Sequence, residues 1–153
     1  MTVSEILARA RDKGLRIATA ESCTGGMIAV RLTDVAGSSD VFDRGFVTYS
    51  NAAKQDMLGV RPATLAAHGA VSQEVAAEMA AGALANSLAD IAVAVTGIAG
   101  PGGSEHKPEG RVCFGLAKKG AEAAETQVET IDFGPLGRDG VRRATTTHAL
   151  NLL

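Results

Sequence analysis

The fold of this 153-residue chain is decided by residues 91–104, which read Ile-Ala-Val-Ala-Val-Thr-Gly-Ile-Ala-Gly-Pro-Gly-Gly-Ser. The run from Ile91 to Val95 is continuously apolar, which is typical of a strand buried on both faces of a sheet. The loop after it is rich in glycine and hydroxyl side chains. Because ligands bind beyond the carboxyl ends of strands in open α/β sheets, this stretch predicts a central strand and one wall of a binding site.

Residues 16–26 show the same pattern nearer the start of the chain. A short strand over Arg16–Ala20 leads into Glu21 and then Ser22-Cys23-Thr24-Gly25-Gly26, and a helix over 27–32 follows. This turn is a second candidate ligand loop, although its glycines are also what a tight turn without any ligand requires. Neither loop matches a nucleotide-binding fingerprint, since both G-x-x-x-x-G-K-[ST] and a helix-opening G-x-G-x-x-G are missing.

The rest of the chain alternates between helical and strand patterns and contains no internal repeat or linker. Helices are predicted over 3–13, 51–58, 62–67, 72–87 and 137–153, and further strands over 42–50, 110–118 and 125–133. Five strands and several helices in mixed order predict an α/β layered domain with a mixed sheet. We expect residues 1–153 to form a single domain, since this length is usual for one.

Composition excludes several function classes. The net charge is -2 and aromatic residues are 3% of the chain, so a nucleic acid would find neither a basic surface nor stacking platforms. The apolar runs are far shorter than the ~20 residues that cross a bilayer. Two cysteines suit a reducing compartment, and we expect a cytoplasmic protein. The three histidines are scattered, so no metal site is predicted.

The reactive side chains between residues 38 and 54 are Ser38, Ser39, Tyr49 and Lys54. A lysine can activate a serine if it is neutral, which requires that burial lower its pKa by several units. The positive end of a helix that begins near Asn51 contributes only ~0.3–1 kcal/mol to that shift. From the pattern alone, a solvated surface residue is the favoured interpretation of Lys54, and a half-buried strand residue is the favoured interpretation of Tyr49. A nucleophilic Cys23 is a rival hypothesis, because a helix N-terminus favours a thiolate.

Five ordered runs extend over most of the chain and resemble the CinA C-terminal domain family, which includes stand-alone nicotinamide-nucleotide amidases. The runs are Ala20-Glu21-Ser22-Cys23-Thr24-Gly25-Gly26, Ala36-Gly37-Ser38-Ser39, Arg44-Gly45-Phe46-Val47-Thr48-Tyr49-Ser50-Asn51, His68-Gly69-Ala70-Val71-Ser72 and Thr96-Gly97-Ile98-Ala99-Gly100-Pro101. The resemblance implies a three-layer α/β/α sandwich with a mixed sheet of about five strands. It also implies hydrolysis of nicotinamide mononucleotide to nicotinate mononucleotide and ammonia, a salvage step in NAD metabolism, without metal or cofactor.

The resemblance also implies the site residues. Carried over by motif, the nucleophile falls on Ser39, with Tyr49 ten and Lys54 fifteen residues later. Tyr49 is expected either to relay the proton or to donate to the oxyanion. The expected substrate-binding residues are Ser22, Thr24, Gly25, Gly26, Thr96, Gly97, Ile98 and Ala99. Arg142, in the first turns of the last helix, is the candidate phosphate ligand because a guanidinium can bind a phosphate with two hydrogen bonds, and Arg143 is the alternative. The expected ligand is a small nucleotide, and we expect the chain to form a homo-oligomer, most simply a dimer. Neither a nucleic acid nor a membrane is expected as a partner. The alternative function is a non-catalytic nucleotide-binding or interaction module.

Overall fold

The computed structural model describes residues 1–104, 106–122 and 125–153 and shows one five-stranded sheet between two layers of helices. The helices are α1 (Val3–Asp12), α2 (Met27–Thr33), α3 (Asn51–Leu58), α4 (Pro62–His68), α5 (Gln73–Ala85) and α6 (Gly137–Leu152). The strands are β1 (Ile17–Glu21), β2 (Phe42–Val47), β3 (Ile91–Gly97), β4 (Arg111–Lys118) and β5 (Gln127–Asp132).

The sheet has the order β2-β1-β3-β4-β5 and is mixed. Strand β1 runs parallel to both β2 and β3, whereas β4 pairs antiparallel with β3 and with β5. The predicted α/β/α sandwich with a mixed five-stranded sheet is therefore confirmed. The predicted element bounds differ at a few ends: β2 stops at Val47, and Ser50 rather than Asn51 caps α3, its Oγ accepting a hydrogen bond from the Ala53 amide.

Large and small side chains separate onto the two faces of the sheet. Helices α1, α2 and α6 pack on the face that presents branched and aromatic residues such as Ile17, Val93 and Phe114. Helices α3, α4 and α5 cover the other face, which presents mainly alanine and glycine, such as Ala20, Ala94 and Gly115. Because side chains alternate along a strand, the two-residue pattern of IAVAV supplies both faces at once.

The small residues let α5 lie unusually close to the sheet. A Cβ added to Gly115 would come within 2.5 Å of the Ala76 carbonyl oxygen on α5. A Cβ on Gly82 of α5 would overlap the Leu58 backbone at the end of α3. These contacts are shorter than van der Waals packing permits, so glycine is required at both positions.

The carboxyl ends of the three parallel strands meet at one edge of the sheet. Glu21 is paired in register with Val47 of β2 and with Val95 of β3. Just beyond these pairs, the Ser22 amide donates to the Val95 carbonyl and the Thr48 amide donates to the Glu21 carbonyl. The segments that follow β1, β2 and β3 are thereby brought within hydrogen-bonding range of one another.

Candidate active site

A cavity of about 340 Å³ opens at this edge of the sheet. Its walls come from the segments after β1, β2 and β3, from the loop between α4 and α5, and from the start of α6. The lining residues include Ser22, Cys23, Tyr49, Lys54, Ala70, Val71, Thr96, Gly97, Ile98, Ala99, Gly100 and Arg138. The volume lies within the range of roughly 300–1,000 Å³ that is usual for small-molecule pockets.

Lys54 is the residue whose environment is most unusual for its type. It lies on α3, its side chain is only 1% exposed, and burial lowers the pKa of its amine below the ordinary value. The Nζ atom lies 3.0 Å from Ser22 Oγ, 3.0 Å from the Thr48 carbonyl oxygen and 3.4 Å from the Tyr49 carbonyl oxygen. The amine therefore has three polar partners, one of which is a side-chain hydroxyl.

Ser22 is the first residue after β1 and is nearly buried, with its hydroxyl beside the Lys54 amine. The turn that carries it is held from two sides. The Glu21 carboxylate accepts hydrogen bonds from the Thr24 hydroxyl and from the amides of Gly26, Ile28 and Ala29. On the other side, Arg142 donates to the carbonyl oxygens of Cys23 and Thr24.

Tyr49 and Arg138 meet at the mouth of the cavity. The Tyr49 side chain is 61% exposed, and its hydroxyl accepts a hydrogen bond of 2.8 Å from the Arg138 guanidinium. Arg138 also donates to the Gly100 carbonyl oxygen at 2.7 Å, which links the start of α6 to the loop after β3. Sequence reasoning missed Arg138, although it lies one helical turn before Arg142 and so on the same side of α6.

The structure places Ser39 at the opposite end of β2 from Lys54, which corrects the triad expected from the sequence. Ser39 is exposed in the short 3-10 helix Ser38–Asp40 before β2, where Asp40 pairs with Arg11 of α1. Lys54 follows the carboxyl end of the same strand. Since a strand rises about 3.3 Å per residue, the two ends of the six-residue strand β2 lie roughly 16 Å apart. The hydroxyl that Lys54 reaches belongs to Ser22.

The other expected site residues divide into two groups. Thr96, Gly97, Ile98 and Ala99 line the cavity together with Ser22, as the sequence predicts. The remaining expected contacts face elsewhere: Thr24 is fully buried with its hydroxyl on Glu21, while Gly25, Gly26 and Arg143 line a separate groove between α2 and α6. The Arg142 guanidinium is hydrogen-bonded to backbone carbonyls of the Ser22 turn, whereas Arg138 lines the cavity and can reach a bound ligand.

The neighbouring thiol of Cys23 is poorly suited to act as a nucleophile. Its side chain is buried, and burial raises the pKa of the Cys23 thiol to about 11. A thiol with that pKa carries almost no thiolate near neutral pH. The rival hypothesis of a nucleophilic Cys23 therefore loses the electrostatic advantage on which it rested.

Within residues 1–104, 106–122 and 125–153, no three His, Cys, Asp or Glu side chains come together in a way that could hold a metal ion. Among the helices of the same ranges, none has the length and apolar character needed to cross a membrane. The expected absence of metal and the expected cytoplasmic location remain predictions.

The fold and the cavity define the class of the protein as a three-layer α/β/α domain with a small-molecule cleft where its parallel strands end. The sequence model of the CinA C-terminal domain family matches residues 2–153 of the chain. The chain therefore belongs to the CinA C-terminal domain family.

Solved structures support this assignment. A competence/damage inducible protein, CihA, from Agrobacterium tumefaciens superposes with a TM-score of 0.93 at 49% sequence identity, covering 98% of this chain and 90% of that one. A CinA superfamily protein from Escherichia coli superposes with a TM-score of 0.90 at 34% identity, covering 98% and 87%.

Curated relatives fall into two length classes. The nicotinamide-nucleotide amidohydrolase PncC of Escherichia coli strain K12 is 52% identical, covering 100% of this chain and 92% of that protein. A CinA-like protein of Mycolicibacterium paratuberculosis is also 52% identical, but there the match covers 99% of this chain and 35% of the longer protein. The chain thus spans nearly all of the first relative and about a third of the second.

Proposed function

We propose that this chain is an amidase that hydrolyses the carboxamide of nicotinamide mononucleotide to nicotinate mononucleotide and ammonia. The observation that carries the proposal is the buried Lys54 amine 3.0 Å from the Ser22 hydroxyl inside the cavity. The choice of substrate rests on the Escherichia coli relative, which is named a nicotinamide-nucleotide amidohydrolase and is 52% identical over the full length of this chain.

The hydrogen-bond partners of Lys54 can accommodate both its neutral amine and its protonated ammonium form. A neutral amine has two N–H donors and one lone pair. The carbonyl oxygens of Thr48 and Tyr49 can only accept, so they take the two donors and leave the lone pair for the Ser22 proton. After proton transfer, the ammonium can donate to the same three oxygens. Lys54 can therefore gain and lose a proton without rearranging its surroundings.

The first half of the reaction forms an acyl-enzyme on Ser22. Neutral Lys54 removes the Ser22 proton as Oγ attacks the carboxamide carbon, and a tetrahedral intermediate forms. Collapse of the intermediate breaks the bond between carbon and nitrogen, and Lys54 returns the proton to the departing nitrogen, which leaves as ammonia. The nicotinoyl group then remains on Ser22 as an ester.

The second half of the reaction restores the enzyme with water. Neutral Lys54 removes a proton from a water molecule, whose oxygen attacks the ester carbon. The Ser22 oxygen leaves and recovers its proton from Lys54, and the carboxylate product is released. The net change consumes one water and one carboxamide and yields one carboxylate, one ammonia and one proton, which combine at neutral pH as carboxylate and ammonium, and it requires no metal.

Tyr49 and Arg138 are suited to binding the substrate. Lys54 contacts the backbone carbonyl of Tyr49, whereas the Tyr49 hydroxyl faces Arg138, which favours a role as hydrogen-bond donor over a role as proton relay. Because that hydroxyl accepts from Arg138, its own proton is free to be donated to the substrate. Among the residues that the structure describes, Arg138 donates to two neutral oxygens, so a phosphate would give it a stronger, charge-assisted partner.

The experiment that tests this function uses the purified chain with nicotinamide mononucleotide, and it measures ammonia and nicotinate mononucleotide together. Equal amounts of the two products would support the proposal. Binding of the nucleotide without either product, at high enzyme concentration, would overturn it and leave a non-catalytic binding module.

A further inference from the structure

Glu21 is a buried acidic residue that the proposed reaction does not use. It is the last residue of β1, it directly precedes Ser22, and it is 1% exposed. Burying a carboxylate is costly unless hydrogen bonds compensate it, so a group in this position requires a structural reason.

Among the residues that the structure describes, every hydrogen-bond partner of the Glu21 side chain is a donor. Oε1 accepts from the Thr24 hydroxyl at 2.5 Å, from the Gly26 amide at 3.2 Å and from the Ile28 amide at 3.0 Å. Oε2 accepts from the Ala29 amide at 3.0 Å. The first amides of a helix have no partner within the helix, and the residue at the cap position of α2 is Gly26, which has no side chain to offer. Glu21 therefore caps α2 from the preceding strand.

The Glu21 carboxylate and the Arg142 guanidinium hydrogen-bond to different polar groups of the turn that carries Ser22. Glu21 takes the donors of the turn, and Arg142 takes the carbonyl oxygens of Cys23 and Thr24. The backbone of Glu21 also accepts from the Thr48 amide, and the Thr48 carbonyl in turn accepts from Lys54. One residue thus connects the turn that carries Ser22 with the segment that holds the Lys54 amine.

We propose that Glu21 is a positioning residue for the Ser22–Lys54 pair, and that its carboxylate, opposed by Arg142, fixes the turn so that Ser22 Oγ stays within hydrogen-bonding distance of Lys54 Nζ. This inference rests on the proposed function. The first amides of α2 already donate to this internal carboxylate, so they are not free to bind the phosphate of a substrate.

The test is the substitution Glu21→Gln, which keeps the size of the side chain but turns one acceptor into a donor that faces amide donors. A displacement of Ser22 by about 1 Å is expected to lower kcat about 10- to 100-fold with a change in KM of less than about threefold. The Ser22 hydroxyl should also react more slowly with a fluorophosphonate, located by mass spectrometry, and this readout does not require nicotinamide mononucleotide.

The chain offers a matched control in Glu78. Its carboxylate accepts from the Arg61 amide and the Thr64 hydroxyl at the start of α4, so it also caps a helix from another element, and it lies outside the cavity lining. Glu78→Gln should lower the melting temperature as Glu21→Gln does but leave kcat within about twofold of the wild type. A kcat loss of the same size in both variants would overturn the positioning role.

If Glu21→Gln does not fold, a less disruptive variant provides a second test. Thr24→Val removes one of the four donors to Glu21 at nearly constant volume, and we expect kcat to fall about 3- to 10-fold with KM little changed. A Thr24→Val enzyme with wild-type kcat and wild-type labelling of Ser22 would overturn the inference. These results are distinct from a failure of the proposed function, in which the wild type itself would release no ammonia.

Discussion

Lys54 Nζ and Ser22 Oγ lie 3.0 Å apart although their residues are separated by 32 positions in the chain. The contact exists because β1 and β2 are parallel neighbours, so the turn after β1 and the helix after β2 begin at the same edge of the sheet. Burial of the amine comes from the same arrangement, since α3 lies over the small-residue face. The proposed chemistry therefore depends on sheet topology as much as on the two side chains.

The pH dependence of kcat tests whether Lys54 acts as a neutral base. Burial lowers the pKa of Lys54, so we expect kcat to rise with pH through that lowered pKa and to level off before about 10.4, the ordinary value for lysine. Lys54→Met should lower kcat by at least about a thousandfold at every pH, because no base remains. A wild-type kcat that falls as the pH rises toward the ordinary lysine value would contradict the role.

The lowered pKa of Lys54 also predicts that the stability difference between the wild type and Lys54→Met depends on pH. Unfolded Lys54 keeps a proton that folded Lys54 has released, so its contribution to the free energy of unfolding increases with pH. The increase occurs between the lowered pKa and about 10.4, with a slope of up to about 1.4 kcal/mol per pH unit. We expect the difference in urea unfolding free energy between wild type and Lys54→Met to rise across this window, and a flat difference would argue against a shifted amine.

Replacing Arg138 tests whether it binds the phosphate. Arg138→Gln should raise KM for nicotinamide mononucleotide about 10- to 100-fold, because a charge-assisted pair is lost. The riboside, which lacks the phosphate, should be hydrolysed equally well by both enzymes. Arg143 is the matched control, since it lies on the same helix and pairs with Asp139 on the surface. Equal losses with both substrates, or the same loss in Arg143→Gln, would exclude phosphate recognition by Arg138.

The sole tyrosine of the chain offers a direct measurement of binding. Tyr49 lines the cavity and the chain has no tryptophan, so its fluorescence reports on the site alone. We expect nicotinamide mononucleotide to change this fluorescence saturably in an inactive Ser22→Ala protein, because a ligand phosphate would release Arg138 from the Tyr49 hydroxyl. In Arg138→Gln the same titration should require about 10 times more nucleotide or more. A signal that is unaffected by saturating nucleotide would place the ligand elsewhere.

Substitution of Cys23 separates the two candidate nucleophiles. Because burial raises the pKa of the thiol to about 11, we expect slow reaction with iodoacetamide in the folded protein at neutral pH. Cys23→Ala should keep kcat within about threefold of the wild type, as the substitution removes a single sulfur atom from the cavity wall. A Cys23→Ala protein that folds but is inactive would instead support Cys23 as the nucleophile.

Much of the fold could be predicted from the sequence, because local patterns carried the necessary information. The apolar run Ile91–Val95 gave a central strand, and Ser72 with Glu74 gave the start of α5. What local patterns could not supply was the closeness of α5 to the sheet. That closeness depends on Gly82 and Gly115 meeting backbone atoms from distant elements.

The site was only partly predictable, because residue spacing does not show at which end of a strand a side chain lies. Ser39, Tyr49 and Lys54 surround the same strand, but Ser39 precedes β2 and Lys54 follows it. A topological argument could have found that Ser22, which was expected only to bind substrate, is the partner of Lys54: residues that follow parallel neighbouring strands share one edge of the sheet. The pairing of β1 with β2 was needed for that argument, and the sequence alone did not provide it.

Ammonia release from nicotinamide mononucleotide by Ser22→Ala and Ser39→Ala, measured beside the wild type, tests the central claim most directly. The account predicts that Ser22→Ala folds normally and loses at least about a thousandfold in kcat, while Ser39→Ala stays within about twofold of the wild type. An active Ser22→Ala enzyme, or an inactive Ser39→Ala protein with an intact fold, would contradict it.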